Sequence, residues 1–197
     1  MRVDRERLLD FSQGDQAPEG VSAWLPGFGP STDLSIADPD PSWGRDYDVL
    51  AGRITEALGA VALEVDHVGS TSVAGLPAKP IIDVVIVVAD PDDEAAYAPG
   101  LSDAGFVHVV REPWWHGHRL FRNHDPRANI HVFGPDCPEV ARMRIFRDWL
   151  RTHSDDLETY RRAKIDAAAG GGHVMDYNAR KEHVLRNILR RAVMSAG

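Results

Sequence analysis

The sequence predicts an α/β fold, in which a core with a mixed β-sheet is flanked by helices and followed by a helical carboxy-terminal part. Residues 81–88 form a β-branched run that is apolar apart from Asp83, as in a strand buried on both faces in the middle of a sheet. Shorter strand-like segments surround this run, and beyond residue 138 the apolar residues recur with helical spacing alone. The 197 residues, 43% of them hydrophobic, suit one domain with a self-sufficient core.

Glycine and proline punctuate the first 33 residues, which we expect to form an irregular amino-terminal arm whose apolar residues dock on the body. Residues 34–197 are then a single domain, with the α/β core over 34–137 and the helical part over 138–197. Apolar residues three and four positions apart predict an opening helix over 42–58, and Gly59 stands where that helix should end.

The elements that follow are bounded by turn residues. Short β-branched segments predict strands at 61–65, 81–88, 106–110, 118–122 and 129–133, with a helix at 92–104 between the second and third strands. Pro138 suits the first turn of a helix, where a missing backbone N–H leaves no bond unmade. Two more helices are predicted at 155–168 and 176–194, separated by three consecutive glycines.

The charge balance argues against broad binding to polyanions. Twenty-two basic and 30 acidic residues give a net charge of −8 with the nine histidines neutral, so nucleic acid and anionic membranes are disfavoured partners. We expect a small-molecule substrate instead, and the basic residues crowded into the last third of the chain could serve one phosphorylated ligand. Cys137 is the sole cysteine, and the charged amino terminus lacks an apolar signal segment, which together predict a cytoplasmic protein. The oligomeric state stays open.

The stretch over residues 67–84 carries the chemistry. A strand there runs into a connector rich in glycine and hydroxyl residues, which offers the backbone N–H groups and short donors that a phosphate requires. These phosphate-binding candidates are Gly69, Ser70, Thr71 and Ser72. Lys79 adds a positive charge, and Asp83 could hold a divalent cation that bridges phosphate oxygens. Burying an unpaired carboxylate in so apolar a strand is costly, which favours a functional role for Asp83.

This stretch and four other blocks resemble the GrpB-like family, a branch of the polymerase-β-like nucleotidyltransferase superfamily. The other blocks are Asp40-Pro41-Ser42-Trp43, Asn129-Ile130-His131-Val132, residues 146–151 and residues 160–164, so the resemblance spans about residues 34–191. It implies a nucleotidyltransferase-like core in which a Gly-Ser loop grips the phosphates of a nucleoside triphosphate, the co-substrate. It further implies acidic residues that hold Mg²⁺ while a nucleotidyl group passes to a hydroxyl or another acceptor.

The chain departs from the acidic pattern that the superfamily implies. Two carboxylates two residues apart would face one metal pair, yet the partner position of Asp83 is Val85, and the later strand offers His131 in place of an acid. The catalytic candidates are therefore Asp83 and His131. Two roles stay open for His131: a ligand that shares a divalent metal with Asp83 and His67, which would favour Mn²⁺ or Zn²⁺ over Mg²⁺, or a general base.

Other polar residues are weaker candidates. Arg119 and Arg127 flank the last strands and are expected to contact a phosphate or carboxylate in a bidentate manner. His116 and His118, two residues apart beside two tryptophans, are expected to belong to a loop with aromatic packing rather than to a metal site. Tyr160 and Lys164 are four residues apart, which favours a pair on a helix surface.

Three classes of function follow from these residues. The first is a nucleotidyltransferase-like enzyme that acts on a small molecule with Mg²⁺ or Mn²⁺ as cofactor. The second is a module that binds a nucleotide or a CoA-like ligand without chemistry, since GrpB-like domains also occur fused to dephospho-CoA kinase. The third is a ligase or transferase of another reaction type on the same scaffold.

Overall fold

The computed structural model describes residues 3–12 and 17–195, and it has the predicted α/β architecture. A five-stranded sheet has the strand order β1-β2-β5-β4-β3. The strands are β1 (Glu64–Val68), β2 (Ile82–Val87), β3 (Val107–Glu112), β4 (His118–Asn123) and β5 (Ala128–Phe133). Strands β2 and β5 are parallel and the other neighbouring pairs are antiparallel, so the sheet is mixed as expected.

Helices surround this sheet and complete the chain. They are α1 (Arg5–Leu9), α2 (Ser42–Leu58), α3 (Ala98–Asp103), α4 (Pro138–Thr152), α5 (Ser154–Ala169) and α6 (Val174–Ser195). Helices α2 and α3 cover one face of the sheet, where Leu50 and Ile54 of α2 belong to the same fully buried core as Val84, Ile86 and Ile130 of the strands. Burial of this apolar surface fixes which face of each strand points away from the core.

The opposite face of the sheet and the connector after β1 meet the carboxy-terminal helices. Val68, Val85 and Phe133 pack there against Val140 of α4. The connector between β1 and β2 contributes Leu76 and Val73 to a second cluster, in which the helices supply Leu150, Tyr160 and Ile188. The helical part therefore lies against the Gly-Ser connector, and it brings α5 and α6 to the edge of the sheet where β2 and β5 begin.

Two elements of the α/β core differ most from the predictions. Strand β1 begins at Glu64 rather than 61, because residues Gly59–Val61 form a 3-10 turn that continues from α2. The helix predicted over 92–104 is a 3-10 turn at Glu94–Ala96 followed by the short α3, since Pro99 is accommodated only in a first helical turn.

The amino-terminal segment contains one helix, α1, in the part that the structure describes; residues 1–2 and 13–16 of the predicted arm lie outside it. Leu8 of α1 is buried against Leu189 and Val193 of α6. The two buried α6 side chains give the apolar side of this short helix a surface to pack on. Among the described helices, none combines the length and the apolarity needed to cross a membrane.

Candidate functional site

The connector after β1 packs its backbone directly against Asp83. Gly69 has φ +69°, and a Cβ atom added there would lie 3.0 Å from Cβ and from Cγ of Asp83 and would overlap its Oδ2. Glycine is therefore required on two counts, its backbone conformation and its close approach to the carboxylate. The Gly-Ser turn and Asp83 form one continuous surface at the beginning of β2.

The three hydroxyls after Gly69 are not equivalent. Ser72 Oγ donates to the Gly69 carbonyl oxygen at 2.6 Å, and Thr71 Oγ1 lies 3.0 Å from Nε2 of His67, so both are used inside the loop. Both residues are also buried. Ser70 is partly exposed, and its hydroxyl has no hydrogen-bond partner within residues 3–12 and 17–195. Of the predicted phosphate-binding hydroxyls, only that of Ser70 faces outward.

Basic side chains of the helical part donate hydrogen bonds to backbone carbonyl oxygens at the end of β1 and in the connector. Arg147 Nη1 donates to the carbonyl oxygen of His67 at 2.8 Å, and Arg151 Nη2 donates to that of Ser72 at 2.8 Å. Lys164 Nζ donates to the Pro77 carbonyl oxygen at 2.6 Å. Charged donors form stronger hydrogen bonds than neutral ones, so the loop is fixed at both of its ends.

Asp83, Asn129 and His131 meet on one face of the sheet. The parallel register places Asp83 opposite Asn129 and Val85 opposite His131, and residues two apart on a strand share a face. Asn129 Nδ2 donates to Asp83 Oδ1 at 3.0 Å, and Nε2 of His131 lies 3.7 Å from the same oxygen. Burial opposes ionisation of Asp83, but hydrogen bonding and charge from His131 and the Asn129 amide outweigh it and lower the pKa of Asp83.

His118 and Glu112 continue the row of side-chain contacts beyond His131, on the side away from Asp83. His118 Nε2 lies 3.1 Å from Nδ1 of His131, and its own Nδ1 lies 2.7 Å from Oε2 of Glu112. His118 is 3% exposed and is enclosed by Trp115 and Phe133. Burial lowers the pKa of His118 to about 4 despite the hydrogen bond that its Nδ1–H donates to Glu112, so the ring is neutral at neutral pH.

Carboxylates lie at both ends of this row, Glu112 beside His118 and Asp83 beside His131, and the contact distances indicate which protons are shared. An ionised carboxylate only accepts, so Glu112 accepts a hydrogen bond from Nδ1–H of neutral His118, which leaves His118 Nε2 as an acceptor. That nitrogen can accept a hydrogen bond from Nδ1–H of His131 at 3.1 Å, a shorter contact than the 3.7 Å between His131 Nε2 and Asp83, which favours the tautomer of His131 with its proton on Nδ1. In this tautomer Nε2 of neutral His131 presents a lone pair beside the Asp83 carboxylate, and a proton donor or a cation placed between them would satisfy both groups. When His131 is protonated, Nε2 donates to Asp83 and lowers the pKa of that carboxylate.

His67 is not brought into this group. It lies opposite Val84 in the β1–β2 register, which places its side chain on the other face of the sheet from Asp83. Its ring stacks on Tyr47 of α2 at a centroid distance of 4.7 Å, and its Nε2 contacts Thr71. Burial lowers the pKa of His67 to about 4. The predicted metal role of His67 therefore has no geometric support in this arrangement.

The three lysines of the chain, Lys79, Lys164 and Lys181, lie around two tyrosine rings beside Asp83. The Nζ atoms of Lys79 and Lys181 are each 5.0 Å from the centre of the Tyr177 ring, and those of Lys164 and Lys181 are 5.7 and 5.8 Å from Tyr160. Burial and then the charge of Lys181 lower the pKa of Lys164 to about 7, while Asp83 opposes both. We call these five side chains the lysine–tyrosine cluster.

The two arginine candidates lie in different surroundings. Arg127 is at the turn before β5, where its backbone carbonyl accepts from Ile82, and its half-exposed guanidinium contacts Asp33 at 3.0 Å. Arg119 is 4% exposed, lies opposite Val132 on the other face of the sheet, and donates to Glu94 at 2.6 Å and to Asp92 at 2.8 Å. The structure brings Arg127 to the edge of the site and leaves Arg119 in a buried ion-pair network.

Among the described residues, the site offers at most two side-chain ligands for one divalent cation and none for a second. Val85, at the second acidic position of the superfamily pattern, is fully buried in the core. No group of three histidine, cysteine or acidic side chains could hold a metal in the described part of the chain. Asp83 supplies a carboxylate and His131 an imidazole nitrogen, so ligand oxygens would have to complete any cation's coordination.

Sequence reasoning missed several of these residues. His118 had only the signal of a weak His-x-His motif and Glu112 had none, and the contact of His118 with His131 depends on strand register. The lysine–tyrosine cluster did carry a signal: a Tyr-x-x-x-Lys pattern occurs in both α5 and α6, and these helices hold two of the only three lysines in the chain. Tyr160 and Lys164, expected on a helix surface, are buried in the structure.

Comparisons with known proteins agree with this architecture. The family model described as "GrpB protein" matches residues 33–191. The UPF0157 protein BH1888 of Halalkalibacterium halodurans is 39% identical over 192 residues, which is 97% of this chain and 92% of that protein. The crystal structure of the conserved protein GrpB from Enterococcus faecalis superposes with a TM-score of 0.72 at 25% identity, covering 82% of this chain and 99% of that one.

A further relative carries an enzyme's name. The dephospho-CoA kinase of Mycobacterium bovis is 29% identical over 185 residues, a match that covers 80% of this chain but only 45% of that protein. The similarity therefore concerns less than half of the kinase.

Proposed function

The chain belongs to the GrpB family, and we propose that it binds a nucleoside triphosphate at the Gly69–Ser70 turn and Asp83 and transfers the nucleotidyl group to a small molecule. The observation that carries the proposal is the group formed by Gly69, Asp83 and His131. A backbone turn that only glycine can form presses against a carboxylate, and a histidine nitrogen faces that carboxylate at 3.7 Å.

The phosphate-binding part of the proposal rests on the turn. The partly exposed Ser70 hydroxyl has no partner within the described ranges, and Gly69 allows a phosphate to approach the backbone closely. Lys79 and Arg127 stand at the same edge and supply positive charge near the ligand.

Asp83 is the residue that would hold a divalent cation, together with phosphate oxygens of the ligand. Such a cation would neutralise charge on the phosphates. Asn129 fixes the orientation of the carboxylate through its hydrogen bond to Oδ1, which leaves Oδ2 toward Gly69. With a single aspartate, the polymerase-like mechanism with two metals is not part of the proposal.

The transfer needs a proton acceptor, and we assign that role to Nε2 of His131. The oxygen of the acceptor hydroxyl would attack the α-phosphorus, the bond from that phosphorus to the pyrophosphate oxygen would break, and the hydroxyl proton would pass to His131 Nε2. The hydrogen bond between Nδ1 of His131 and His118 keeps that lone pair available. A small acceptor suits the net charge of −8, which disfavours a nucleic-acid acceptor.

Thermal unfolding against a panel of ligands tests the binding step. Nucleoside triphosphates, CoA and dephospho-CoA would each be added with Mg²⁺, Mn²⁺ or no metal, since a ligand that binds the native state raises the midpoint. We expect a metal-dependent rise with a triphosphate that is lost in Asp83→Ala and kept in Asp103→Ala, a change at an exposed aspartate of α3. No rise with any nucleotide would refute the proposal.

Release of pyrophosphate tests the chemical step. With a panel of small hydroxyl-bearing acceptors, His131→Ala should retain nucleotide binding and lose pyrophosphate release. If His131→Ala instead weakens Mn²⁺ binding as much as Asp83→Ala does, His131 is a metal ligand rather than the base.

A second candidate function is binding of a CoA-type ligand without turnover. The similarity to a dephospho-CoA kinase favours it, because the matched region is a large part of this chain. A midpoint rise with CoA or dephospho-CoA that needs no metal and survives Asp83→Ala, with no pyrophosphate released from any triphosphate, would select this candidate over the first.

A further inference from the structure

All three lysines of this chain converge on one place. Of the 22 basic residues other than histidine, only Lys79, Lys164 and Lys181 are lysines, and they come from the connector before β2, from α5 and from α6. Each Nζ atom lies within 5.8 Å of the ring centre of Tyr160 or Tyr177. Three separate segments thus bring the same functional group to one cluster.

The lysines lack the carboxylate partners that the arginines have. In the ranges 3–12 and 17–195, no salt bridge joins any of the three to an acidic side chain, whereas arginines form most of the salt bridges there. Lys164 is 2% exposed and its one hydrogen bond is to a neutral carbonyl oxygen. Three clustered ammonium groups repel one another, and the Asp83 carboxylate, which among the described residues forms no ion pair with any of them, offsets this repulsion only in part. A bound anion would relieve the rest.

The cluster adjoins the site described above. The Asp83 carboxylate is close enough to act on Lys79, Lys164 and Tyr177: it opposes the burial that lowers the pKa of both lysines, and it adds to the burial that raises the pKa of Tyr177. Lys79 and Lys181 are partly exposed, so their ammonium groups are available to a ligand, and Lys164 lies beneath them and anchors the connector.

We infer that Lys79, Lys164 and Lys181 form a subsite for a polyphosphate group of two or more phosphates. Lys79 and Lys181 reach the Tyr177 ring from separate segments, and a chain of phosphates can contact both ammonium groups, whereas a single phosphate with a charge of about −1.5 to −2 has less charge and less reach. A bound polyanion would also favour the charged form of the buried Lys164, whose pKa burial lowers to about 7. Lysine is a compact point charge that suits this ligand, while the planar fork of arginine suits carboxylates. The subsite rests on the proposed function only for the identity of the full ligand.

The probe is inorganic tripolyphosphate, with orthophosphate for comparison, measured by isothermal titration calorimetry without metal on the whole chain. Lys181→Gln and Lys79→Gln should each weaken tripolyphosphate binding by about tenfold or more. Arg190→Gln removes the same charge from an exposed position of α6 and should change the affinity less than about twofold. Wild type should bind orthophosphate more weakly than tripolyphosphate.

Three results would overturn the subsite: no tripolyphosphate binding, equal losses in Lys181→Gln and Arg190→Gln, or orthophosphate bound as tightly as tripolyphosphate. Asp83→Asn separates the subsite from the proposed function. It should tighten metal-free tripolyphosphate binding, because it removes a negative charge beside the lysines, while it abolishes metal-dependent nucleotide binding. Lysine-dependent tripolyphosphate binding together with nucleotide binding indifferent to Asp83→Asn would leave the subsite standing and refute the proposed function.

Discussion

Gly69 and Asp83 are in such close contact that any side chain at position 69 would displace the Asp83 carboxylate. The Cβ of an alanine there would lie 3.0 Å from both Cβ and Cγ of Asp83, in a backbone conformation with φ +69°. Gly75 in the same connector has φ +78° but open space around the position of its missing Cβ. The two glycines share the backbone requirement and differ only in the contact.

We therefore predict different results for Gly69→Ala and Gly75→Ala. Both changes should cost about 1 kcal/mol of unfolding free energy through backbone strain, and Gly69→Ala should cost about 1–3 kcal/mol more because Asp83 must move. Gly69→Ala alone should abolish metal-dependent nucleotide binding. Urea unfolding measures the loss of stability in both variants, and calorimetry measures their nucleotide binding. Equal stability and equal binding in the two variants would show that the Gly69–Asp83 contact has no role in function.

Arg119 and Arg127, for which the sequence predicts the same phosphate or carboxylate contact, should differ in their roles. Arg119 is buried between Glu94 and Asp92, so Arg119→Met should lower the unfolding free energy by about 3 kcal/mol and leave phosphate affinity unchanged. Arg127 forms only a half-exposed pair with Asp33, so Arg127→Met should cost less than about 1 kcal/mol of stability but weaken ligand binding. A loss of binding in Arg119→Met without loss of stability would contradict this assignment.

Stability should fall as the pH drops from about 6.5 to about 4. Burial lowers the pKa of both His67 and His118 to about 4, whereas in the unfolded chain they titrate near 6.5. Between these values the unfolded chain binds protons that the folded chain does not, so acid favours unfolding. For His118, which is 3% exposed, the full effect is on the order of 3 kcal/mol.

Urea unfolding across this pH window measures the effect. Burial also lowers the pKa of His108, so three histidines contribute to the slope. His118→Phe removes one of them and should flatten the curve in part, whereas His124→Phe, at an exposed position, should leave the slope of the wild type. Glu94 does not obscure the comparison: pairing with Arg111 and Arg119 outweighs burial and lowers the pKa of Glu94 to about 2, so its contribution is lost below 4.5. A slope in His118→Phe as steep as that of the wild type would refute the assignment.

The sequence predicts the fold correctly for those elements whose buried face is defined by their own residues. The apolar spacing of residues 42–58 matches α2, and the β-branched run matches β2, because each buries a face that its own residues define. Helix α1 was not predictable in this way, since its single buried residue, Leu8, depends on the surface that α6 presents. Strand β1 begins three residues later than predicted, because α2 continues into a 3-10 turn.

Only part of the site could be predicted from the sequence, because contacts between strands and helices do not follow from the residue pattern of any one segment. Asp83, Gly69 and Ser70 are close in sequence, and the connector alone pointed to them. The meeting of His118 with His131 depends on the β4–β5 register, which pairs Leu120 with His131 and thereby sets both rings on one face. Local alternation cannot fix such a register.

The contact between His118 and His131 leads to a prediction about the tautomer of His131. With Glu112 on its Nδ1, neutral His118 accepts at Nε2, so His131 should carry its proton on Nδ1 and present Nε2 unprotonated to Asp83. Spectra of ¹⁵N-labelled histidine at about pH 8, where imidazoles are ordinarily neutral, report which nitrogen is protonated, and His131→Ala identifies the signal.

His118→Phe should reverse this arrangement. Phenylalanine keeps the packing on Trp115 and Phe133 but offers no acceptor, so the His131 proton should move to Nε2, where the Asp83 carboxylate accepts it. His118→Gln restores an acceptor oxygen and should return the wild-type tautomer. Pyrophosphate release should follow the tautomer, lost in His118→Phe and recovered in His118→Gln. A His131 spectrum that is the same in all three proteins would mean that His118 only fills space, and His131 would then need another source for its free lone pair.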